Sequence, residues 1–167
     1  MNSSVSSLPS SSTLLVEQAA YGLPGVVRVT LNRPDAFNAL SEQAIDELKA
    51  TLTQIAQSDA RVVVLAAEGR AYCAGHDMKE LQASPELDFY RKLFARCSSL
   101  MMTIQRMPQP VIARVQGIAT AAGCQLVAMC DLAVAADTAR FATSGIHYGL
   151  FCATPAVPLS RNIPRKA

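Results

Sequence analysis

Short β-branched runs alternate along the chain with stretches of helical spacing. Val26-Val27-Arg28-Val29-Thr30-Leu31 is β-branched and partly alternating, which predicts a strand. Asn32-Arg33-Pro34-Asp35 breaks that pattern as a turn or loop. Over Glu42 to Gln57, Ala44, Ile45, Leu48, Leu52 and Ile55 recur near helical spacing and predict the buried stripe of a helix. Ser41 is placed to cap it, because its hydroxyl accepts from an orphan amide, and acidic Glu42 suits the first turn. Val62-Val63-Val64-Leu65, within Arg61 to Ala67, is a continuous apolar run that suits a strand covered on both faces. Glu68-Gly69-Arg70 follows as a turn.

Farther along, Ala74-Gly75-His76-Asp77 leads into a short predicted helix over Met78 to Leu81, for which Asp77 is the natural cap. Pro85 to Arg106 reads as a longer helix with Leu93, Leu100, Met101 and Ile104 inward, ended by Pro108 and Pro110. Val111 to Val115 is another predicted buried strand. Gly117 opens a small-residue loop, Ala119 to Gly123, that runs into a helix through Met129. Leu132 to Ala135 and Ala139 to Phe141 complete the strands. Alternating strands and helices without an internal repeat imply an α/β or mixed layered fold.

Charge changes this picture little. Fifteen basic and thirteen acidic side chains leave a net charge of +2, which gives no reason to expect nucleic acid or an anionic membrane as partner. The apolar tract from Val111 to Ala136 is interrupted by Arg114, Gln116, Gln125 and Asp131, so it does not read as a membrane span. Cys73, Cys97, Cys124, Cys130 and Cys152 are odd in number and form no CxxC pair. They read as inert core thiols in a reducing compartment, with no zinc or other metal site. Residues 1–13 are serine-rich and lack a basic start or an apolar middle. They read as a disordered tail before a single domain at 14–167, in a protein expected in the cytoplasm.

Two segments carry candidate chemistry: Ala74-Gly75-His76-Asp77-Met78-Lys79 and Gly117 through Leu126. Each is a strand-to-helix junction built from small residues, with unpaired amides at a helix N-terminus and room for a ligand to approach the backbone. Two such amides converging on one carbonyl oxygen make an oxyanion hole. Small residues before a helix are more often a matter of tight packing, so the pattern by itself leaves both readings open.

These segments, with their neighbours, resemble the crotonase (enoyl-CoA hydratase/isomerase) superfamily from about Val27 to Ala167. Leu31-Asn32-Arg33-Pro34 followed by Asn38-Ala39-Leu40 is similar to its first signature. Ala74 to Glu80 is similar to its first oxyanion segment, and Gly117 to Asp131 to its signature helix. Phe141 to Gly149 falls at its second catalytic loop. The stretch from Gly149 to Pro155 is similar to the enoyl-CoA hydratase domain-containing branch. The resemblance implies a crotonase (ClpP-like) fold, a spiral of ββα units. It also implies that the family continues beyond this chain into a helical region that covers the site and packs between subunits, so that Arg161 to Ala167 would begin a helix. A homotrimer or hexamer follows as the expected assembly.

The resemblance further implies a coenzyme A thioester as ligand, with no covalently bound cofactor. By position, the backbone N–H groups of His76 and Ala122 would be the oxyanion donors. Asp35, Ala36 and Phe37 would line the CoA path. Ala74 would lie near the adenine, with Gly75, Asp77, Met78 and Lys79 continuing that surface. Lys79 would sit near the pantetheine and phosphates, where a cation suits an anionic ligand. As a residue on its own, Lys79 reads equally well as a solvated helix lysine. The family's two hydratase glutamates would fall at Gln125 and Gly145, neither of which can act as a general acid or base. His147, two residues on, is a candidate replacement base. Asp131 reads as a buried structural carboxylate or cap. The expected function is therefore an acyl-CoA-binding, hydratase/isomerase-like protein of weak or altered lyase or isomerase activity. The alternative is a non-catalytic acyl-CoA-binding or regulatory protein of fatty acid metabolism.

Overall fold

In a computed structural model of the protein, residues 11–149 and 151–164 are described. Among them, eight strands fall into two sheets. The larger holds β1 (Leu14–Gln18), β2 (Val26–Leu31), β3 (Val62–Ala67), β5 (Val111–Val115) and β7 (Leu132–Ala135), in the order β1-β2-β3-β5-β7. The smaller holds β4 (Ala71–Cys73), β6 (Ile118–Thr120) and β8 (Arg140–Ala142), in the order β4-β6-β8. Among the described residues, only β1 runs antiparallel to its neighbour.

Consecutive strands therefore pair off as β3–β4, β5–β6 and β7–β8, the first of each pair in the large sheet and the second in the small one. Helices α2 (Met78–Ala83) and α3 (Leu87–Arg106) follow β4, and α4 (Ala122–Met129) follows β6. This is the spiral of ββα units that the family resemblance implies. Each turn places a helix N-terminus directly after a strand of the small sheet, and both candidate junctions lie at such positions.

The main core lies between the large sheet and the helix pair α1 (Glu42–Ala56) and α3. Ser41 caps α1 by accepting from the Ala44 N–H. Ala44, Ile45, Leu48, Leu52 and Ile55 are buried, opposite Leu93, Leu100, Met101 and Ile104 of α3. Each large apolar side chain so buried contributes roughly 1.5–3 kcal/mol. Cys97 joins this stripe. In β3, Val63 and Leu65 are fully buried while Val62 and Val64 are half-buried, so one face is sealed more completely than the other.

Several elements differ from expectation. β1 pairs with β2 from Leu14↔Leu31 to Gln18↔Val27, a strand absent from the sequence reading. The predicted small-residue loop contains β6, whose partner β4 falls between the predicted turn Glu68-Gly69-Arg70 and the junction at Ala74, a stretch the pattern assigns to no element. Ser11 and Thr13 hydroxyls donate to the Glu47 carboxylate, so the end of the expected tail is bonded to α1, while residues 1–10 lie outside the described residues. Burial pushes the Glu47 carboxyl upward, but hydrogen bonds from Ser11, Thr13 and Gln43 outweigh it and hold the group below its ordinary value.

A fifth helix, α5 (Ala153–Asn162), forms despite Pro155 and Pro158. Pro155 falls in the first turn, where its missing N–H has no intrahelical partner to lose. Arg161 and Asn162 thus end a helix rather than begin one, and residues 165–167 lie outside the described residues. Asp131 is exposed rather than buried, and its carboxylate accepts from the Val111 N–H, holding the start of β5 to the end of α4.

Candidate functional site

The first junction leaves β4 at Cys73 and reaches α2 through Ala74, Gly75, His76 and Asp77. Gly75 has φ +93°, a conformation that L side chains rarely adopt. Its C=O accepts from Leu40 N–H at 2.7 Å, and Asp77 N–H donates to Leu40 C=O at 3.2 Å. That bridge uses the groups on either side of His76, so the His76 N–H faces away from Leu40. Asp77 caps α2, accepting from the Lys79 N–H, as its sequence position predicts.

The second junction leaves β6 and enters α4 through Ala121, which has φ +50° and ψ −121°. A non-glycine residue in so sparsely populated a region costs about 1–3 kcal/mol, and such residues cluster at ligand sites. Gly123 explains how close α4 lies to β4: a Cβ there would stand 2.2 Å from the Cys73 carbonyl oxygen. The two junctions meet. A Cβ on Gly75 would lie 3.0 Å from the Ala121 Cβ and 3.3 Å from the Ala122 nitrogen. Thr120 Oγ1 donates to Ala74 C=O at 3.0 Å and locks them together. Ala121 N–H donates to Ala142 C=O at 2.9 Å, which ties in the segment leading to Gly145.

The His76 ring packs edge-on against Phe94 of α3, with ring centroids 5.1 Å apart. Its Nδ1 is buried without a hydrogen-bond partner among the described residues. Burial pushes its imidazole down to about 4, because the charged form loses its hydration. The neutral ring is therefore no proton carrier near pH 7 in the ligand-free protein.

Gln125, one turn into α4, is buried. Gly145 lies half-buried in the 3-10 turn Ser144–Tyr148, and His147 is exposed on the same turn. Asp35 and Ala36 fall in the 3-10 turn Pro34–Ala36, and Phe37 follows with φ +51°. Phe37 C=O accepts from Ala74 N–H at 3.0 Å, so the Asp35–Phe37 loop and Ala74 form one surface beside the junctions. Met78 and Lys79 are exposed at its border.

Three residues acquire roles that the sequence reading did not give them. Arg33 donates to Ala39 C=O at 2.7 Å and to the Asp77 carboxylate at 3.0 Å, clamping the first signature to the first junction. Asn38 is buried; its amide accepts from Arg33 N–H and donates to the carbonyls of Glu68 and Ala71, each at 2.8 Å. Both belong to the quoted motif, so the signal was present and only its use was missing. Arg70 lies over the Phe37 ring, 4.5 Å from its centroid, and brings a cation to the same surface as Lys79. Nothing local marks it in the sequence.

Cys73, Cys97 and Cys124 are buried thiols, and Cys130 is half-buried. Burial pushes Cys73, Cys97 and Cys130 up to about 12, far from the thiolate form, and raises Cys124 as well. Cys152 is half-buried, and all five are free. Among the described residues, no group of three or more His, Cys, Asp or Glu side chains is placed to hold a metal ion. No helix among them is long and apolar enough to cross a membrane.

Residues 23–167 match the family described as enoyl-CoA hydratase/isomerase. Among curated proteins, the chain is similar to enoyl-CoA hydratase domain-containing protein 3, mitochondrial, of Danio rerio. The two are 48% identical over 158 residues, which is 94% of this chain and 53% of that protein. Among solved structures it is similar to an enoyl-CoA hydratase of Mycobacterium smegmatis, with TM-score 0.88 and 60% identity over 92% of this chain and 59% of that one. It is also similar to human enoyl Coenzyme A hydratase domain-containing protein 3, with TM-score 0.85 and 44% identity over 92% of this chain and 60% of that one. The chain spans about half the length of the curated relatives it matches.

Proposed function

Because the chain belongs to the enoyl-CoA hydratase/isomerase family and has the crotonase fold, we propose that it binds acyl-CoA thioesters, with the His76 and Ala122 amides as an oxyanion hole. The observation that carries this reading is the meeting of the two junctions at Gly75 and Ala122. The His76 N–H is turned away from its β-bridge, and the Ala122 N–H stands at the start of α4, where the helix dipole favours negative charge. Donors fixed in this way stabilise charge that develops on a thioester oxygen without having to reorganise. The surface formed by Asp35, Ala36, Phe37 and Ala74, bordered by Lys79 and Arg70, would carry the nucleotide end.

Hydration is the weaker part of the family's chemistry here. Gln125 and Gly145 stand where the resemblance puts the two hydratase carboxylates, and neither group moves a proton near neutral pH. His147 is exposed, and the His76 ring is held neutral. We therefore propose an acyl-CoA-binding protein that polarises a thioester carbonyl and hydrates enoyl-CoA slowly or not at all. The non-titrating amide at position 125 favours a binding or regulatory role as the second reading. The Danio rerio relative carries the word mitochondrial in its name, and the cytoplasmic location expected from this sequence is a proposal for cell fractionation to test.

Calorimetry with acetyl-CoA and free CoA tests the site. The thioester should bind more tightly than CoA alone, and Ala122→Pro, which removes one donor at a position where helices accept proline, should erase most of that difference. Equal affinity for acetyl-CoA and CoA would overturn the oxyanion-hole reading. Crotonyl-CoA hydration, followed by the loss of conjugated absorbance, tests the chemistry. Turnover on the order of 10 per second in the wild type would contradict the slow-hydration reading. A gain in the Gln125→Glu, Gly145→Glu double variant would support it.

A further inference from the structure

Cys73 ends β4, is fully buried, and stands where the first junction begins. Its sulfur accepts from the Gly75 N–H at 3.5 Å, in a buried bond. Among the described residues, this sulfur is the acceptor that the Gly75 N–H has. The residue also lies against the second junction, because a Cβ on Gly123 would stand 2.8 Å from the Cys73 Cβ. Filling that space needs only a small side chain. The bond to Gly75 needs an acceptor.

That bond matters because of what hangs on Gly75. Two peptide units meet at its Cα. The first holds the Ala74 C=O and the Gly75 N–H, and the second holds the Gly75 C=O and the His76 N–H. Within a planar trans unit the C=O and N–H point opposite ways, so holding one aims the other. The Gly75 C=O accepts from Leu40 N–H at 2.7 Å, which turns the His76 N–H outward. In the first unit, the Ala74 C=O accepts from Thr120 Oγ1 at 3.0 Å, and the Cys73 sulfur holds the opposite side. Gly75, at φ +93°, is the joint between the units, and a glycine by itself resists rotation little. With both units held, the His76 N–H is aimed before any ligand arrives, which is the condition for an efficient oxyanion donor. We infer that Cys73 is a positioning residue: its thiol, by holding the Gly75 N–H, fixes the direction in which the His76 N–H meets a thioester oxygen. This rests on the thioester reading above and deepens it by naming what holds the first donor. Burial pushes the Cys73 thiol up to about 12, so the acceptor is a neutral sulfur, weak but uncharged. It adds no negative charge beneath a site that has to stabilise one.

Calorimetry with acetyl-CoA and free CoA tests this in the wild type, in Cys73→Ala, which removes the acceptor, and in Cys73→Ser, which keeps one. Cys73→Ala should cut the preference for the thioester by roughly two- to tenfold, the worth of one net hydrogen bond, while free CoA binds as before. Cys73→Ser should restore most of that preference. Infrared spectra of bound, carbonyl-labelled acetyl-CoA give a second reading. The carbonyl stretch should move up in Cys73→Ala and return in Cys73→Ser, because a misaimed donor polarises the carbonyl less. If Cys73→Ala keeps the wild-type preference, or if both variants lose it alike, the side chain only fills space and the inference is wrong while thioester binding stands. If Cys73→Ala does not fold, solvent exchange of the Gly75 amide in the wild type decides, with the neighbouring His76 amide, which has no acceptor among the described residues, as the reference. Slower exchange at Gly75 upholds the bond, and equal exchange overturns the inference. If the wild type binds acetyl-CoA no better than CoA, the proposed function falls and takes this inference with it.

Discussion

His76 sets a pH dependence that its neighbours cannot relieve. Its ring is buried against Phe94, and burial pushes its titration down to about 4, whereas an unfolded histidine titrates near 6.5. Between those values the unfolded chain takes up a proton that the folded chain refuses. Stability therefore falls as the pH drops from about 6.5 to about 4, and this contribution is constant outside that window. The loss reaches about 2 kcal/mol at pH 5 and about 3 kcal/mol at pH 4. His76→Phe keeps the apolar packing and removes the proton site, so urea unfolding at pH 7 and pH 5 should show a smaller drop than the wild type. Identical drops would mean that the ring is hydrated in solution. The sequence placed His76 at a junction but gave no hint of its burial, because Phe94 comes from a helix eighteen residues on. Gly75 and Gly123 were legible as close-approach residues, whereas nothing in the composition marks the left-handed Ala121.

At the scale of elements, Arg33 makes a prediction that its motif alone does not. Its guanidinium joins the loop after β2 to the cap of α2 through Ala39 C=O and Asp77, and both side chains of the ion pair are largely shielded. Arg33→Met should cost about 1.5–3 kcal/mol on urea unfolding, the range for hydrogen bonds to charged groups. It should also weaken acyl-CoA binding in calorimetry, because Asp77 directly follows the proposed donor His76. A variant that loses stability with unchanged affinity would show that the clamp is not needed to hold the site. Helices with a clear apolar stripe, α1 and α3, were readable because their period is carried by large side chains. The strands β4 and β6 were not: each has three residues, and their order comes from pairing with one another at Ala71↔Ile118 and Cys73↔Ala119. Helix α5 was hidden by its prolines: Pro155 falls in the first turn, which tolerates it, but Pro158 lies inside the helix, and the sequence pattern does not distinguish such a segment from a loop.

At the scale of the whole molecule, apolar surface gathers on the last turn of the spiral. β7 ends the large sheet and β8 ends the small one, so each presents an edge without a further strand among the described residues. Leu132 and Val134 of β7 are 61% and 65% exposed, Ile146 is 77% exposed and Phe151 is 86% exposed. An open edge beside so much apolar side chain is a surface for a further element of a longer chain or for another copy to cover, since each large side chain fully buried contributes roughly 1.5–3 kcal/mol. A trimer or a dimer of trimers is the assembly expected from the family resemblance, and we predict that this surface takes part in it. Light scattering at micromolar concentration should give three or six times the chain mass. Val134→Lys places a charge on the exposed face of the edge strand and should shift the population toward monomer while leaving the α1–α3 core folded by circular dichroism. A wild type that runs as a well-behaved monomer would remove the association argument. A Val134→Lys variant that assembles as before would move the interface to another face.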